Sequence, residues 1–370
     1  MNGKATIVRD FERGDIDAVA RLFRMTFIRR SGRKRSSPAL ISAIDQSFFQ
    51  HPWQEPGIRS KVAVDAEGKV FGFIGVLPAR FELGDRPVLA ALAGSMMVED
   101  AKANPLAGAR LLRAFLAGPQ DISLTETANA TALGMWQKLG HAFDPAYSMS
   151  WLRVLRPVST GLQLSERTLP AMRLAQPLGR IADRGLSLIR RSPFSNRAGR
   201  KAQFQDVGPS EFGRALLVLK NLYALHPRWD EETIGWFLAQ AEDKRNFGYP
   251  EWRVAYGPDG APLAAYAYFA KVGGIAWVLQ ALAPPALTGD LVDDLFCHAY
   301  EYGCAAVRGA AHPWLQPALM QRQAIFTGRA FYVAHSKDPS LLEPIRSGQA
   351  LISGLAGEGW TPLIGGLFDD

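Results

Sequence analysis

Three carboxylates at the ends of two predicted strands are the side chains best placed for proton transfer. Glu99 and Asp100 follow a long apolar run that ends near Val98, and Glu126 ends the run DISLTE. A carboxylate held beside a reacting amine or hydroxyl removes its proton as a general base. The alternative for each of the three is a solvated carboxylate in a loop.

An asparagine and a tryptophan mark the helical pattern that follows, TANATALGMWQKLG. Asn129 lies at the break between strand and helix, where a short polar side chain caps the first amide groups. Trp136 follows seven residues later, and its indole N–H has no proton to give to a leaving group. A purely structural cap is the alternative for Asn129, and core packing is the alternative for Trp136.

Other site chemistries find little support in the sequence. Cys297 and Cys304 lie on one apparently helical stretch, with no CxxC pair or histidine partner that would indicate a zinc site. We therefore predict two reduced packing cysteines and no metal. The sequence has no G-x-S-x-G elbow, Walker loop or Rossmann fingerprint.

The elements that carry these residues alternate between strands and helices. A strand and two helices are followed by a hairpin, KVAVDAEGKVFGFIGVLP, and by a further long strand. Pro105 lies where the next helix begins, which GARLLRAFLAG continues. DISLTE, the Asn129 helix and the strand SMSWLRVLRP complete this half of the chain.

The second half repeats this order, with a hairpin around Pro258-Asp259-Gly260 and a last strand, RAFYVAHS. The fold class is therefore α/β (α+β), with two tandem domains, each a mixed, mostly antiparallel sheet flanked by helices. We predict an N-terminal domain over 1–156, a basic helical linker over 157–202 and a degenerate second copy over 203–370.

Positive charge is concentrated in two segments. The net charge is +7, yet residues 152–201 alone carry 11 Lys and Arg against two Asp and Glu, and RRSGRKR (29–35) adds five positive charges. The linker is either a helix with a solvated basic side or an interfacial helix that contacts anionic lipid. The charged N-terminus argues against a signal peptide, so the cytoplasm is the expected location, with peripheral contact to the inner membrane through 157–202.

The segments ANPLAGARLLRAFLAG and TANATALGMWQKLGHAF, in this element order, resemble the GNAT acyltransferase superfamily. In that family an R/Q-x-x-G-x-G/A loop opens the helix after the fourth strand and holds the pyrophosphate of coenzyme A with backbone amides. Gly108 matches the final glycine of that loop, whereas Ala103 and Leu106 depart from it. The second copy has no such loop, and PPALTGDLVDDLF instead brings three aspartates to its helix start.

The resemblance also implies roles for individual residues. Several relatives hold a carboxylate where Glu99 lies, so the candidate bases rank as Glu99, Glu126 and then Asp100. Many relatives have a tyrosine acid where Trp136 stands. The resemblance predicts that acyl-CoA is bound by Met97, Val98, Ala107, Gly108, Ala109, Arg110, Asn129 and Trp136.

These points lead to an expected function. We expect an N- or O-acyltransferase that uses acetyl-CoA, or another acyl-CoA, on a saccharide or a cell-envelope or exopolysaccharide precursor, such as a nucleotide-sugar or lipid-linked acceptor. The alternative is a non-catalytic binding or scaffold protein with the same fold, and an aminoacyl-tRNA-dependent transferase ranks third. RRSGRKR has no interleaved aromatic, so a nucleic-acid partner is not expected. The hypothesis requires a gap between two neighbouring strands of the N-terminal half.

Overall fold

The computed structural model describes residues 6–28, 37–139, 143–165, 203–328, 330–366 and 368, together with 179, 182 and 183. The chain forms two compact units. Unit 1 comprises Met1–Ser148, Tyr223–Trp229 and Ala330–Asp370, and unit 2 comprises Met149–Leu222 and Asp230–Arg329. The units interleave along the chain, whereas the sequence-based boundaries at 156 and 202 follow chain order.

The sheet of unit 1 contains β1 (Ile7–Asp10), β2 (Lys61–Val64), β3 (Val70–Leu83), β4 (Arg86–Val98), β5 (Ile122–Ala128), β6 (Phe143–Asp144), β9 (Leu225–Pro227) and β15 (Phe331–Ser336). The strand order is β1-β2-β3-β4-β5-β15-β6, and β9 pairs with β3. The β4–β5 pair is parallel and the other pairs are antiparallel. A mixed, mostly antiparallel sheet is thus confirmed for this unit.

Helices cover both faces of this sheet. On one face, α1 (Ile16–Phe27) and α2 (Pro38–Phe49) pack apolar side chains against Phe73 and Met97. On the other face, α3 (Ala107–Leu116) and α4 (Ala130–Lys138) pack against Ile74 and Ala93. Adjacent strand residues point to opposite faces, which is why Phe73 and Ile74 belong to different clusters.

The sheet of unit 2 contains β7 (Met149–Val154), β8 (Phe204–Asp206), β10 (Tyr249–Tyr256), β11 (Pro262–Ala270), β12 (Ile275–Leu282), β13 (Ala306–Ala310) and β14 (Ile325–Gly328). Its order is β14-β7-β13-β12-β11-β10-β8, with a single parallel pair, β12–β13, among the described strands. Its helices are α5 (Pro157–Ser165), α6 (Pro209–Leu219), α7 (Glu231–Glu242), α8 (Thr288–Tyr302) and α9 (Gln316–Gln321); α10 (Glu343–Arg346) belongs to unit 1.

Both predicted hairpins are present, because each turn carries a glycine in the left-handed region. Gly68 has φ +80° between β2 and β3, and Gly260 has φ +77° between β10 and β11. Such φ values cost a residue with a Cβ more than they cost glycine. The Asp65 side chain also accepts hydrogen bonds from the amides of Glu67 and Lys69, at 3.1 and 2.8 Å.

Two strands were assigned to the wrong half from sequence. SMSWLRVLRP forms β7, which pairs with β13 and β14 in unit 2 rather than closing the first sheet. The last strand, β15, pairs with β5 and β6 in unit 1. Strand-forming patterns are local, whereas the choice of a partner strand depends on the whole fold, so chain order was misleading here.

The two basic segments fall mostly outside the described residues. RRSGRKR (29–35) lies outside the described residues, as does most of 157–202 beyond α5. Among the helices that the structure describes, none combines the length and the apolar character needed to cross a membrane.

Candidate active site

The parallel strands β4 and β5 pair over only part of their length. Their register joins Ala90 to Ile122, Ala91 to Ser123 and Leu92 to Leu124. Beyond these pairs β4 continues to Val98 and β5 to Ala128, without further pairing between them. We call this opening, between residues 93–96 of β4 and 125–128 of β5, the strand gap.

A β-bulge in β4 accompanies the strand gap. Phe73 pairs with Met97 and Gly75 pairs with Gly94, so β4 contains one residue more than β3 over this stretch. The bulge includes Ser95, whose φ is +51°. A non-glycine residue in this region costs about 1–3 kcal/mol and persists where the surrounding structure holds it, often at functional sites.

A cavity of about 410 Å³ occupies the strand gap. Leu112 of α3 and Ala132 and Trp136 of α4 line it on one face of the sheet, and Phe23 and Phe27 of α1 line it on the other. The cavity therefore crosses the sheet where β4 and β5 separate. We call it the sheet cavity. Its volume lies in the range of small-molecule binding sites.

Asn129 and Trp136, the two residues singled out in the predicted α4 helix, both line the sheet cavity. Asn129 caps α4, since its side chain accepts a hydrogen bond from the Ala132 amide at 2.9 Å. Trp136 is 2% exposed and packs edge-on against Phe115, with ring centroids 6.1 Å apart. Each residue therefore has the structural role given as its alternative and also forms part of a cavity wall.

A carboxylate that the sequence analysis missed enters the sheet cavity from the chain segment 354–366. Glu358 is 5% exposed and lines the cavity. The Thr127 hydroxyl donates a hydrogen bond to Glu358 Oε2 at 3.2 Å. Gly94 makes room for this carboxylate, because a Cβ at position 94 would lie 2.7 Å from Glu358 Oε2. The Glu358 side chain is therefore held in the strand gap.

Glu126, one of the predicted bases, contacts the same segment. Its buried carboxylate accepts a hydrogen bond from the Glu358 backbone amide, with Oε1 3.0 Å from the nitrogen. A Cβ at Gly357 would lie 1.3 Å from Glu126 Oε1, so only glycine fits there. Glu126 does not line the sheet cavity, and its position allows it to orient the turn that carries Glu358.

Glu99, the first-ranked base, lies away from the sheet cavity. Arg21 donates to both of its carboxylate oxygens, at 3.0 and 3.1 Å. This pairing lowers the pKa of Glu99 and makes the carboxylate a weaker base. Glu99 and Asp100 line a separate cavity of about 250 Å³, together with Lys69 and Asn104.

The predicted cofactor residues on β4 fall on different sides of the sheet. Met97 is 2% exposed and packs with the α1 and α2 cluster, away from α3. Val98 packs with the α3 cluster, and Met96, which was not predicted, lines the sheet cavity. The bulge explains the difference, because one extra residue changes which side chains face the cavity.

The first turn of α3 carries the remaining predicted cofactor residues. Ala107 and Gly108 are buried, Ala109 is half-buried and Arg110 is exposed, with Nη1 3.3 Å from the Thr6 carbonyl oxygen. A Cβ at Gly108 would lie 3.1 Å from Met135 Sδ, so α3 and α4 pack closely at this point. The first amides of a helix lack partners within it and favour anions.

Sequence reasoning missed Glu358 because no local pattern links it to the strand gap. Glu126 and Glu358 are 232 positions apart in the chain. One signal was nevertheless present. The stretch GLAGEGW (354–360) places a single carboxylate between glycines, and such a composition is typical of a turn that approaches other backbone closely.

Comparisons with known proteins support the fold. No family model matches the chain, and no curated protein matches it significantly. A GCN5-related N-acetyltransferase from Kribbella flavida superimposes with a TM-score of 0.54 at 15% identity, over 90% of this chain and 71% of that one. A GCN5-related N-acetyltransferase from Anabaena variabilis gives 0.55 at 11% identity, over 90% and 73%. The fold is that of the GCN5-related N-acetyltransferases.

Proposed function

We propose that the protein is an acyl-CoA-dependent acyltransferase, with acetyl-CoA as the first donor to test, and that its active site is the sheet cavity of unit 1. One observation carries the proposal. A cavity crosses the sheet at the point where two parallel strands separate, and a buried carboxylate, Glu358, lies inside it. The GCN5-related fold supports this choice of chemistry.

The donor fits on the α3 and α4 face. Gly108 and Ala109 present the first amides of α3, and the positive end of the helix dipole favours the pyrophosphate there. In the strand gap the edges of β4 and β5 have no partner strand, so their backbone groups are available to the amides of the pantetheine arm. Asn129 and Trp136 line the sheet cavity, and we assign both to the wall beside the pantetheine arm.

Glu358 is the proposed general base. The nitrogen or oxygen of the acceptor attacks the thioester carbonyl carbon, its proton passes to the Glu358 carboxylate, and the C–S bond breaks to release the CoA thiolate. Thr127 holds the carboxylate through its hydroxyl. We assign Glu126 to orientation of the Glu358 turn, and Glu99 to an ion pair with Arg21.

The acceptor predicted from sequence was a saccharide or cell-envelope precursor. That prediction depends on the basic segments 29–35 and 152–201, which lie mostly outside the described residues. It remains a prediction, as does peripheral contact with a membrane. Amino sugars are therefore included among the acceptors to be tested.

Calorimetry with acetyl-CoA, followed by assays of CoA thiol release with amines and amino sugars, tests the proposal. We expect micromolar binding. Glu358→Gln is expected to keep the Kd for acetyl-CoA within about threefold and to lower kcat by about 10²–10⁴-fold, the contribution typical of a general base. Glu242→Gln, an exposed change on α7, is the matched control and leaves both values unchanged.

Two results would contradict the proposal. If millimolar acetyl-CoA gives no heat, the protein does not bind the donor, and the non-catalytic binding or scaffold function is favoured. If Glu358→Gln retains the full kcat, another group accepts the proton, and Glu126→Gln is then the variant to measure.

A further inference from the structure

The sheet cavity has two ends with different linings. On the α3 and α4 face, polar groups of the wall come from Thr127 of β5 and from Asn129, the cap of α4. On the α1 face, the lining is built by the end of α1 and by described residues near the end of the chain, and almost all of its side chains are apolar: Phe23, Thr26, Phe27, Ile28, Leu363, Ile364 and Phe368. Since the donor is proposed to enter from the α3 face, the α1 end is left for the acceptor.

Aromatic rings dominate the α1 end. The centroid of Phe23 is 4.9 Å from that of Phe27 and 6.2 Å from that of Phe368, the latter pair in an edge-on arrangement. Phe27 remains 54% exposed although it borders a cavity. An apolar and aromatic lining of this kind suits an apolar group, since small-molecule sites are lined mainly by hydrophobic and aromatic side chains.

Charge in the sheet cavity is limited to one group. Among the described residues that line it, Glu358 is the one titratable side chain, and it is 5% exposed. A protonated amine is attracted to this carboxylate before it gives up its proton. A saccharide would bring several hydroxyls to an apolar wall, where each hydroxyl without a partner opposes binding.

We infer that the acceptor is a primary amine carried on an apolar, ring- or alkyl-bearing skeleton, whose skeleton packs against Phe27 and Phe368 while its nitrogen reaches Glu358. This inference rests on the proposed acyl transfer. It adds what the amine is attached to, and it separates the acceptor from the amino sugars expected from sequence.

The test compares 2-phenylethylamine, hexylamine, spermidine and glucosamine as acceptors for acetyl-CoA, with CoA thiol release as the readout and calorimetry of acetyl-CoA as an independent measurement. We expect kcat/KM for 2-phenylethylamine to exceed that for glucosamine by about 50-fold. Burial of roughly 100 Å² of apolar surface produces a preference of this size.

The variant Phe27→Ser tests whether the α1 end of the sheet cavity binds the acceptor. We expect this change to raise KM for 2-phenylethylamine about tenfold, with kcat and the Kd for acetyl-CoA changed less than about twofold, because the lost contact is with the skeleton of the acceptor. Met25→Ser is the matched control. Met25 is 49% exposed on the same helix and does not line the sheet cavity, so KM stays unchanged.

The outcomes separate this inference from the proposal beneath it. If acetyl-CoA binds and glucosamine or spermidine is the better acceptor, the inference is wrong and the proposed acyl transfer stands. If acetyl-CoA binds but none of the four amines is acylated, the inference is also wrong. If the protein does not bind acetyl-CoA, both the proposed function and this inference are wrong.

Discussion

The two sheets share a local arrangement and differ in what surrounds it. In unit 1, β4 and β5 pair in parallel over three positions before the bulge at Ser95. In unit 2, β12 and β13 also pair in parallel over three positions, and β12 then has a register shift of its own near Leu279. The backbone geometry that opens a strand gap is therefore present twice.

The helices that follow these strands differ at their first turn. α3 begins with Ala107 and Gly108, and the near neighbour of Gly108 is the thioether of Met135. α8 begins with Thr288 and Gly289, and Arg322 Nη2 lies 3.1 Å from the position of a Gly289 Cβ. Asp293 holds Arg322 in place through two hydrogen bonds of 2.6 Å.

This difference shows that neither a glycine at a helix start nor a splayed strand pair identifies a cofactor site. In unit 2 a guanidinium already lies at the helix start, beside the carboxylates of Asp290 and Asp293, which would repel a pyrophosphate. In unit 1 the corresponding turn has no acidic residue. The chemistry of the side chains around the turn decides which copy can bind the donor.

A pair of tryptophan variants tests this comparison most strongly. Gly108→Trp is expected to weaken acetyl-CoA binding by more than about 100-fold, roughly 3 kcal/mol, because an indole has no room beside Met135 and must displace the first turn of α3 with its amides. Gly289→Trp leaves the Kd within about twofold. Calorimetry measures both, with thermal melts to show that each variant is folded, and Gly108→Ser is the milder variant if the first does not fold. Equal losses at both positions would contradict the assignment of the site to unit 1.

Two glycine-to-alanine variants, one in the strand gap and one in helix α4, test whether the position of the Glu358 carboxylate matters for activity. Gly94→Ala places a Cβ 2.7 Å from Glu358 Oε2 and must displace the carboxylate. We expect kcat to fall by about 100-fold, with the Kd for acetyl-CoA within about threefold. Gly134→Ala is the control, since no atom lies within 4 Å of its new Cβ and alanine favours helix α4. An unchanged kcat in Gly94→Ala would show that Glu358 does not need this position.

The acid stability of unit 1 is expected to depend on His51. Burial lowers the pKa of His51 to about 3. The native imidazole therefore stays neutral while the unfolded one gains a proton below its usual pKa of about 6.5, so the stability it contributes is present above that pH and is lost as the pH falls. The free energy of unfolding of His51→Gln is expected to fall less steeply with acid than that of the wild type. The difference between the two slopes is about 1.4 kcal/mol per pH unit between pH 6.5 and 4.5.

Urea unfolding at several pH values measures this slope. A wild-type slope in His51→Gln would mean that another group dominates the acid sensitivity of the unit.

The smallest effect is expected at Glu99. Glu99→Gln removes a partly exposed ion pair with Arg21, and we expect a loss of about 0.5–1 kcal/mol in the free energy of unfolding. The kcat should remain within about twofold, because Glu99 lies away from the sheet cavity. Asp293→Asn, which weakens the ion pair at Arg322 in unit 2, is the matched change. A loss of kcat in Glu99→Gln that exceeds the loss in Glu358→Gln would restore Glu99 as the base.

Local features of this protein were determined by the sequence itself. The hairpins at Gly68 and Gly260 follow from turn residues and alternating strands, and the cap at Asn129 follows from its place before an apolar helix. The order of the longer strands and helices could be predicted because each element depends on residues close to it in the chain, whereas the short strands β6, β8, β9 and β14 were not predicted.

Tertiary structure alone decided the partners of β7 and β15, the side of the sheet that Met96 and Met97 face, and the arrival of Glu358 beside Thr127. Contacts such as that between Glu126 and Glu358 join residues 232 positions apart, and no local pattern encodes them. A single added residue in β4 changes which side chains line the cavity, and this depends on the register with β3. The candidate site is therefore formed by long-range packing acting on locally determined elements.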